Sequence, residues 1–99
     1  MYALALITAY TADCTGCTGI TRSGQIADSA QYMVAADLRY WKFGDKIEIC
    51  LPDGKSAIYI VADTGSKIRG KWRFDILVET QQEAIEWGVK RLHVQEVND

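Results

Sequence analysis

Apolar and polar positions alternate in short runs along most of this chain, and only one stretch near the C-terminus carries a helical repeat. Residues 3–10, ALALITAY, are rich in β-favouring types and predict a first strand. Residues 11–25, TADCTGCTGITRSGQ, replace that pattern with the Thr, Gly and Ser of a loop. YMVAAD (32–37) predicts a short strand ending in an acid. KIEICL (46–51) and SAIYIVA (56–62) flank Pro52-Asp53-Gly54-Lys55, which predicts a hairpin. SKIRGKWRFDILV (66–78) then alternates: Lys67, Arg69, Lys71, Arg73 and Asp75 fall on one face, and Ile68, Trp72, Phe74 and Ile76 on the other. Thr80-Gln81-Gln82-Glu83 is a capping box that opens a helix, with Ala84, Ile85 and Trp87 as its apolar stripe and Gly88 as its stop. VKRLHVQEV (89–97) predicts a last strand. Several short strands with one late helix point to a mainly β chain, a small barrel with a helical insertion.

Composition narrows this picture without naming a function. The 99 residues suit one compact domain, 1–99, and the 48% apolar content is enough for a real core. No apolar run approaches the length of a membrane span. The opening MYALALITAY lacks a basic leader and a small-residue cleavage site, so it reads as a strand rather than a signal peptide. A net charge of −2 argues against nucleic acid or anionic lipid as a partner, and the basic residues at 67–73 are only a local stripe. Cys14-x-x-Cys17 supplies two ligands where a structural zinc site wants four, and His93 is too isolated to complete one. No metal or cofactor is expected. Cys14 and Cys17 suit either a close disulfide or a pair of reduced thiols.

Asp63-Thr64-Gly65-Ser66 spells an aspartic-protease signature. That chemistry needs two carboxylates sharing a proton, with the turn early in the chain and a bracing hydrophobic-hydrophobic-Gly segment later. Here the turn comes late, and Glu86-Trp87-Gly88 falls at a helix end, so the protease reading ranks a distant third. Taken alone, the tetrapeptide is an Asp-led turn.

Its neighbours give it another meaning. Thr8-Ala9-Tyr10, Cys14-Thr15-Gly16-Cys17-Thr18-Gly19 and Ser23-Gly24 resemble the opening of the 3D domain, a family named for three aspartates. Val34-Ala35-Ala36-Asp37, Ala62-Asp63-Thr64-Gly65-Ser66, Ile68-Arg69-Gly70, Phe74-Asp75 and Ala84-Ile85-Glu86-Trp87-Gly88 continue the resemblance over roughly residues 7–97. It implies a double-psi β-barrel like the catalytic domain of membrane-bound lytic transglycosylase A enzymes, and action on the glycan strands of bacterial peptidoglycan. It makes Asp75 the catalytic acid, with Asp37 and Asp63 as its neighbours. The chain departs from the family pattern after Asp37, where Leu38-Arg39-Tyr40-Trp41 replaces a proline-led turn. The Asp63–Asp75 interval is also one residue longer than usual. A one-residue slip flips side chains across a sheet, so a bulge near Gly70–Trp72 is expected to absorb it.

Three carboxylates suit glycosidic cleavage. A free Asp is almost wholly ionised at neutral pH, and nearby negative charge with partial burial keeps the acid loaded. Asp37 and Asp63 are expected to do this for Asp75, against Lys67, Arg69 and Arg73. A lytic transglycosylase reuses the same carboxylate as base, so that the 6-hydroxyl of N-acetylmuramic acid closes a 1,6-anhydro ring; a hydrolase needs a second carboxylate to activate water. The resemblance favours the lyase. Thr64, Gly65 and Tyr10 are candidate substrate contacts beside the acids. Trp41, Trp72 and Trp87 each read as core before sugar platform; Trp41, beside charged residues in a loop, is the best exception and the candidate to stack on sugar. Lys67 and Arg69 read as a solvated face, or as a grip on the glycan's lactyl ether or on stem-peptide carboxylates. A monomer acting at the cell envelope, outside the cell or on a phage particle is expected. A barrel that binds cell-wall glycan without cleaving it, or that builds a phage particle, is the alternative.

Overall fold

The computed structural model describes residues 2–11 and 32–97. Of the loop expected at 11–25, all but Thr11 lies outside the described residues, including Cys14, Cys17 and Ser23-Gly24. Six strands and one helix follow in order: β1 (Ala3–Tyr10), β2 (Met33–Ala35), β3 (Lys46–Cys50), β4 (Ser56–Asp63), β5 (Arg73–Leu77), α1 (Gln81–Trp87) and β6 (Lys90–Val97). The strands close into a barrel in the order β1-β5-β2-β4-β3-β6. This is the mainly β architecture with a short C-terminal helix that the periodicity predicts. The pairs β1–β5 and β2–β4 are parallel and the other four are antiparallel. Exchanging the first three strands for the last three returns the same neighbours, so the ring has two-fold symmetry in its connections. None of the described helices is long and apolar enough to cross a membrane.

Alternation decides which side chains fill the barrel. Ile47 and Ile49, Tyr59 and Val61, and Phe74 and Ile76 point inward two apart on their strands, with Ile7, Val34 and Val94. Each large aliphatic removed from water here contributes about 1.5–3 kcal/mol. A second, smaller cluster of Met33, Ala62 and Leu77, with Tyr10 against it, packs separately. The β3–β4 hairpin closes as predicted at Pro52–Lys55: Gly54 takes φ +87°, and Asp53 accepts the Lys55 N–H at 2.9 Å.

The alternating pattern at 66–78 is only half a strand. Pairing starts at Arg73, opposite Leu6, and residues 66–72 form turns in which Gly70 takes φ +108°. Lys67, Arg69, Lys71, Arg73 and Asp75 therefore do not share one sheet face; only the last two stand on a strand. Gly70, with no Cβ, enters a backbone region where other residues are strained, and the period-2 signal cannot report that. Helix α1 begins as expected, with the Thr80 hydroxyl accepting the Glu83 N–H at 3.1 Å. Of its expected stripe only Trp87 anchors it, donating its indole N–H to the Ile7 carbonyl at 3.0 Å, while Ile85 is exposed.

Candidate active site

Strand β2 sets the site's geometry. Ala35 pairs with Asp75 of β5 on one side and with Asp63 of β4 on the other. Two strand spacings put those Cα atoms about 10 Å apart, close enough for the carboxylates to feel each other. The register between β2 and β4 slips between Val34 and Ala35: Val34 faces Val61, but Ala35 faces Asp63. That slip is what brings a carboxylate, rather than the Ala62 methyl, opposite Ala35. The irregularity expected near Gly70–Trp72 is thus taken up there by a loop rather than a bulge, and the ladder shift lies on the other side of the site.

Strand β1 supplies the partners. Thr8 sits opposite Asp75 and donates its hydroxyl to Oδ1 at 2.8 Å; Tyr10, two residues on, donates its phenol to Asp63 Oδ2 at 3.2 Å. The Thr64 backbone N–H also donates to Asp63, to Oδ1 at 2.9 Å. Burial, and then the Asp63 charge, push the Tyr10 phenol far above its usual range, so it remains a donor. Asp75 is half-buried. Its carboxyl is held above the usual carboxylate range chiefly by burial and also by the Asp63 charge, against the Thr8 hydrogen bond and the Arg73 cation. Asp37, Lys67 and Arg69 are not among the groups that shift it.

Asp37 is bound into a different set of contacts. It is buried, and the exposed Arg39 grips it through Nε (3.0 Å to Oδ1) and Nη2 (2.6 Å to Oδ2). The backbone N–H groups of Arg39 and Gly70 donate to it at 3.0 and 2.8 Å. These bonds, Arg39's foremost, hold its carboxyl well below the usual range. Asp37 thus clamps the turn at 38–40 to the loop at 64–72. Between those segments lies a cleft of about 390 Å³ lined by Thr64, Gly65, Arg39 and Arg69. Gly65 sits close to Ile68, where a Cβ would meet the Ile68 side chain at 3.3 Å.

Trp41 is not a sugar platform. It is 2% exposed, its indole N–H donates to the Lys71 carbonyl at 2.8 Å, and its ring meets Phe74 and Trp72 edge-on. Its polar neighbours in sequence lie in the turn, while the ring itself joins the main core cluster. Thr8 and Arg39 went unpredicted. Thr8 had a signal, since it lies two residues from Tyr10 on one strand face. Arg39 had none, because its bond to Asp37 depends on the turn at 38–40. Among the described residues, no group of His, Cys, Asp and Glu is arranged to hold a metal.

The aspartates at 37, 63 and 75 fall within the stretch, residues 32–98, that matches the family model described as "3D domain". The chain belongs to the 3D domain family. Thr8 and Tyr10 precede the matched stretch, so the β1 side of the site lies beyond what the family match covers. The 3D domain here is 34% identical over 93 residues to "SPbeta prophage-derived uncharacterized protein YorM" of Bacillus subtilis (strain 168), covering 88% of this chain and 38% of that protein. It is 32% identical over 93 residues to "Putative cell wall shaping protein YabE" of the same organism, covering 92% of this chain and 22% of that protein. The chain thus spans well under half the length of either relative.

Proposed function

We propose that this domain cleaves the glycan strands of bacterial peptidoglycan by the lytic-transglycosylase route, with Asp75 as acid and then base. The observation that carries the reading is the state of Asp75: a half-buried carboxyl held above its usual range, one strand from a second carboxylate, with a hydroxyl fixing its orientation. Asp75 gives its proton to the glycosidic oxygen as the C1–O bond breaks. The Asp63 carboxylate, oriented by Tyr10 and Thr64, disfavours charge on Asp75 beforehand and favours the oxocarbenium-like centre as it forms. The Asp75 carboxylate then takes the proton of the muramic acid 6-hydroxyl, whose oxygen attacks C1 to close the 1,6-anhydro ring. Asp37 serves as the clamp that fixes the loop at 64–72, and Thr64, Gly65, Lys67 and Arg69 of that loop contact the glycan. A family relative whose name refers to cell wall shaping and another derived from a prophage support a substrate in the envelope and an origin in a host or its phage.

The test is digestion of purified peptidoglycan by the wild type and by Asp75→Asn, with released muropeptides read by mass spectrometry. Anhydro-muramyl products from the wild type, reduced at least ~100-fold in the variant, are expected. Reducing-end products would instead make the domain a hydrolase. Binding without release would make it a non-catalytic glycan-binding or phage structural barrel.

A further inference from the structure

A second cleft, of about 510 Å³, opens between helix α1 and the barrel beyond the C-terminal end of β5. Its walls combine aromatic rings, Tyr32, Tyr59 and Trp87, with three carboxylates, Glu79, Glu83 and Glu86. None of these carboxylates forms an ion pair among the described residues. Aromatic faces with an excess of negative charge form the surroundings that favour an organic ammonium ion. Acidic side chains alone would not make a site, and two further features bear on what the cleft holds.

The first is Tyr59. It is 5% exposed, yet its hydroxyl has no hydrogen-bond partner among the described residues. Among the described residues no buried side-chain nitrogen or oxygen lacks a partner, so this hydroxyl is not sealed in the core, and its residue lines the cleft. A ring packed in the barrel thus presents an unused polar group to the cavity. The second is Lys90, whose Nζ stands 5.1 Å from the centre of the Trp87 ring in the cleft wall. The chain's own ammonium already occupies one aromatic face, and three carboxylates outnumber it.

The cleft also lies in line with the acid. Leu77, which lines it, is two residues beyond Asp75 on β5, about 7 Å along the strand, and packs with Tyr10, the residue that orients Asp63. We propose that this cleft binds the side-chain ammonium of a diamino acid in the peptidoglycan stem peptide while the glycan lies at Asp75. This rests on the glycan-cleaving reading. The aliphatic arm of the diamino acid lies along Leu77 and Trp87, the ammonium meets Glu79 and Glu86, and the Tyr59 hydroxyl takes one of its hydrogens.

The test uses the whole chain and a synthetic stem peptide without glycan, carrying lysine at its third position, compared with the same peptide acetylated on the lysine Nε. Titration calorimetry should show the free amine binding about tenfold tighter. Glu79→Gln with Glu86→Gln should abolish most of that preference. Tyr59→Phe, which removes only the hydroxyl, should weaken the free-amine peptide several-fold, with Tm unchanged. Equal binding of the two peptides, or a preference that survives the double Gln substitution, would overturn the proposal. The glycan reading is scored apart: amine-selective binding without released muropeptides retains the cleft and removes the enzyme, and release without amine selectivity does the reverse.

Discussion

Replacing Trp41 distinguishes a ring that builds the barrel from one that holds sugar. The indole is 2% exposed, stacks edge-on at 5.4 Å from Phe74 and 5.9 Å from Trp72, and ties the Lys71 carbonyl at 2.8 Å. Trp41→Ala deletes a large buried ring, at about 3–5 kcal/mol. Against the roughly 5–15 kcal/mol that holds a domain of this size, this is a large fraction. Trp41→Phe keeps one ring but drops the hydrogen bond, about 1 kcal/mol, and opens part of a cavity, about 1 kcal/mol more. At about 4–8 °C per kcal/mol, Trp41→Phe should lower Tm by roughly 8–16 °C, and Trp41→Ala by more. Thermal unfolding followed by circular dichroism, with urea titration at 25 °C, measures both. A sugar platform predicts the opposite pattern: glycan affinity falls and Tm stays. A Trp41→Phe protein melting within about 2 °C of wild type would refute the packing argument.

Three further outcomes follow from the carboxylates and the loop between them. Asp75 titrates above its unfolded value, so its contribution to stability is greatest below the unfolded carboxyl's ordinary range and is lost as pH rises through the native value. Asp75→Asn should therefore melt no lower than wild type at pH 7, with the two curves converging near about pH 4; a large loss of Tm at pH 7 contradicts this. Asp37 titrates far below its usual range, so its contribution is full above the unfolded value and is lost as pH falls through the native one. Asp37→Asn should be less stable than wild type from pH 5 upward, with the gap closing on acidification toward pH 2 in a melting series. Gly70→Ala meets no atom within 4 Å, so its cost is backbone strain alone at φ +108°, about 1–3 kcal/mol, readable by urea titration; a neutral result would show that the loop adopts another conformation.

Most of the barrel was legible along the chain because its strands are short, regular and buried on one face. Ile47/Ile49 and Phe74/Ile76 keep the period of two that a half-buried strand imposes, and the Asp53-Gly54 turn and Thr80 cap are local chemistry. The region at 66–72 misled for the same reason. Its alternation of cations and apolar residues satisfies the strand pattern, but Gly70 and the turns around it take the chain off the sheet before Arg73. Trp41 misled because hydropathy along a polar turn does not report that one ring folds back onto Phe74.

The sequence by itself determined the strand segments, the helix cap and the resemblance that singles out Asp37, Asp63 and Asp75, since all of these are written in local pattern and order. Only the tertiary structure decided where those aspartates stand and which groups reach them. Parallel pairing of β1 with β5 brings Thr8 to Asp75 across 67 positions, and the ladder shift at Val34/Ala35 sets Asp63 opposite Ala35. Arg39 and the Gly70 N–H draw Asp37 into a clamp instead. A carboxylate's character depends on what desolvates it and which donors reach it, and long-range strand register fixes both.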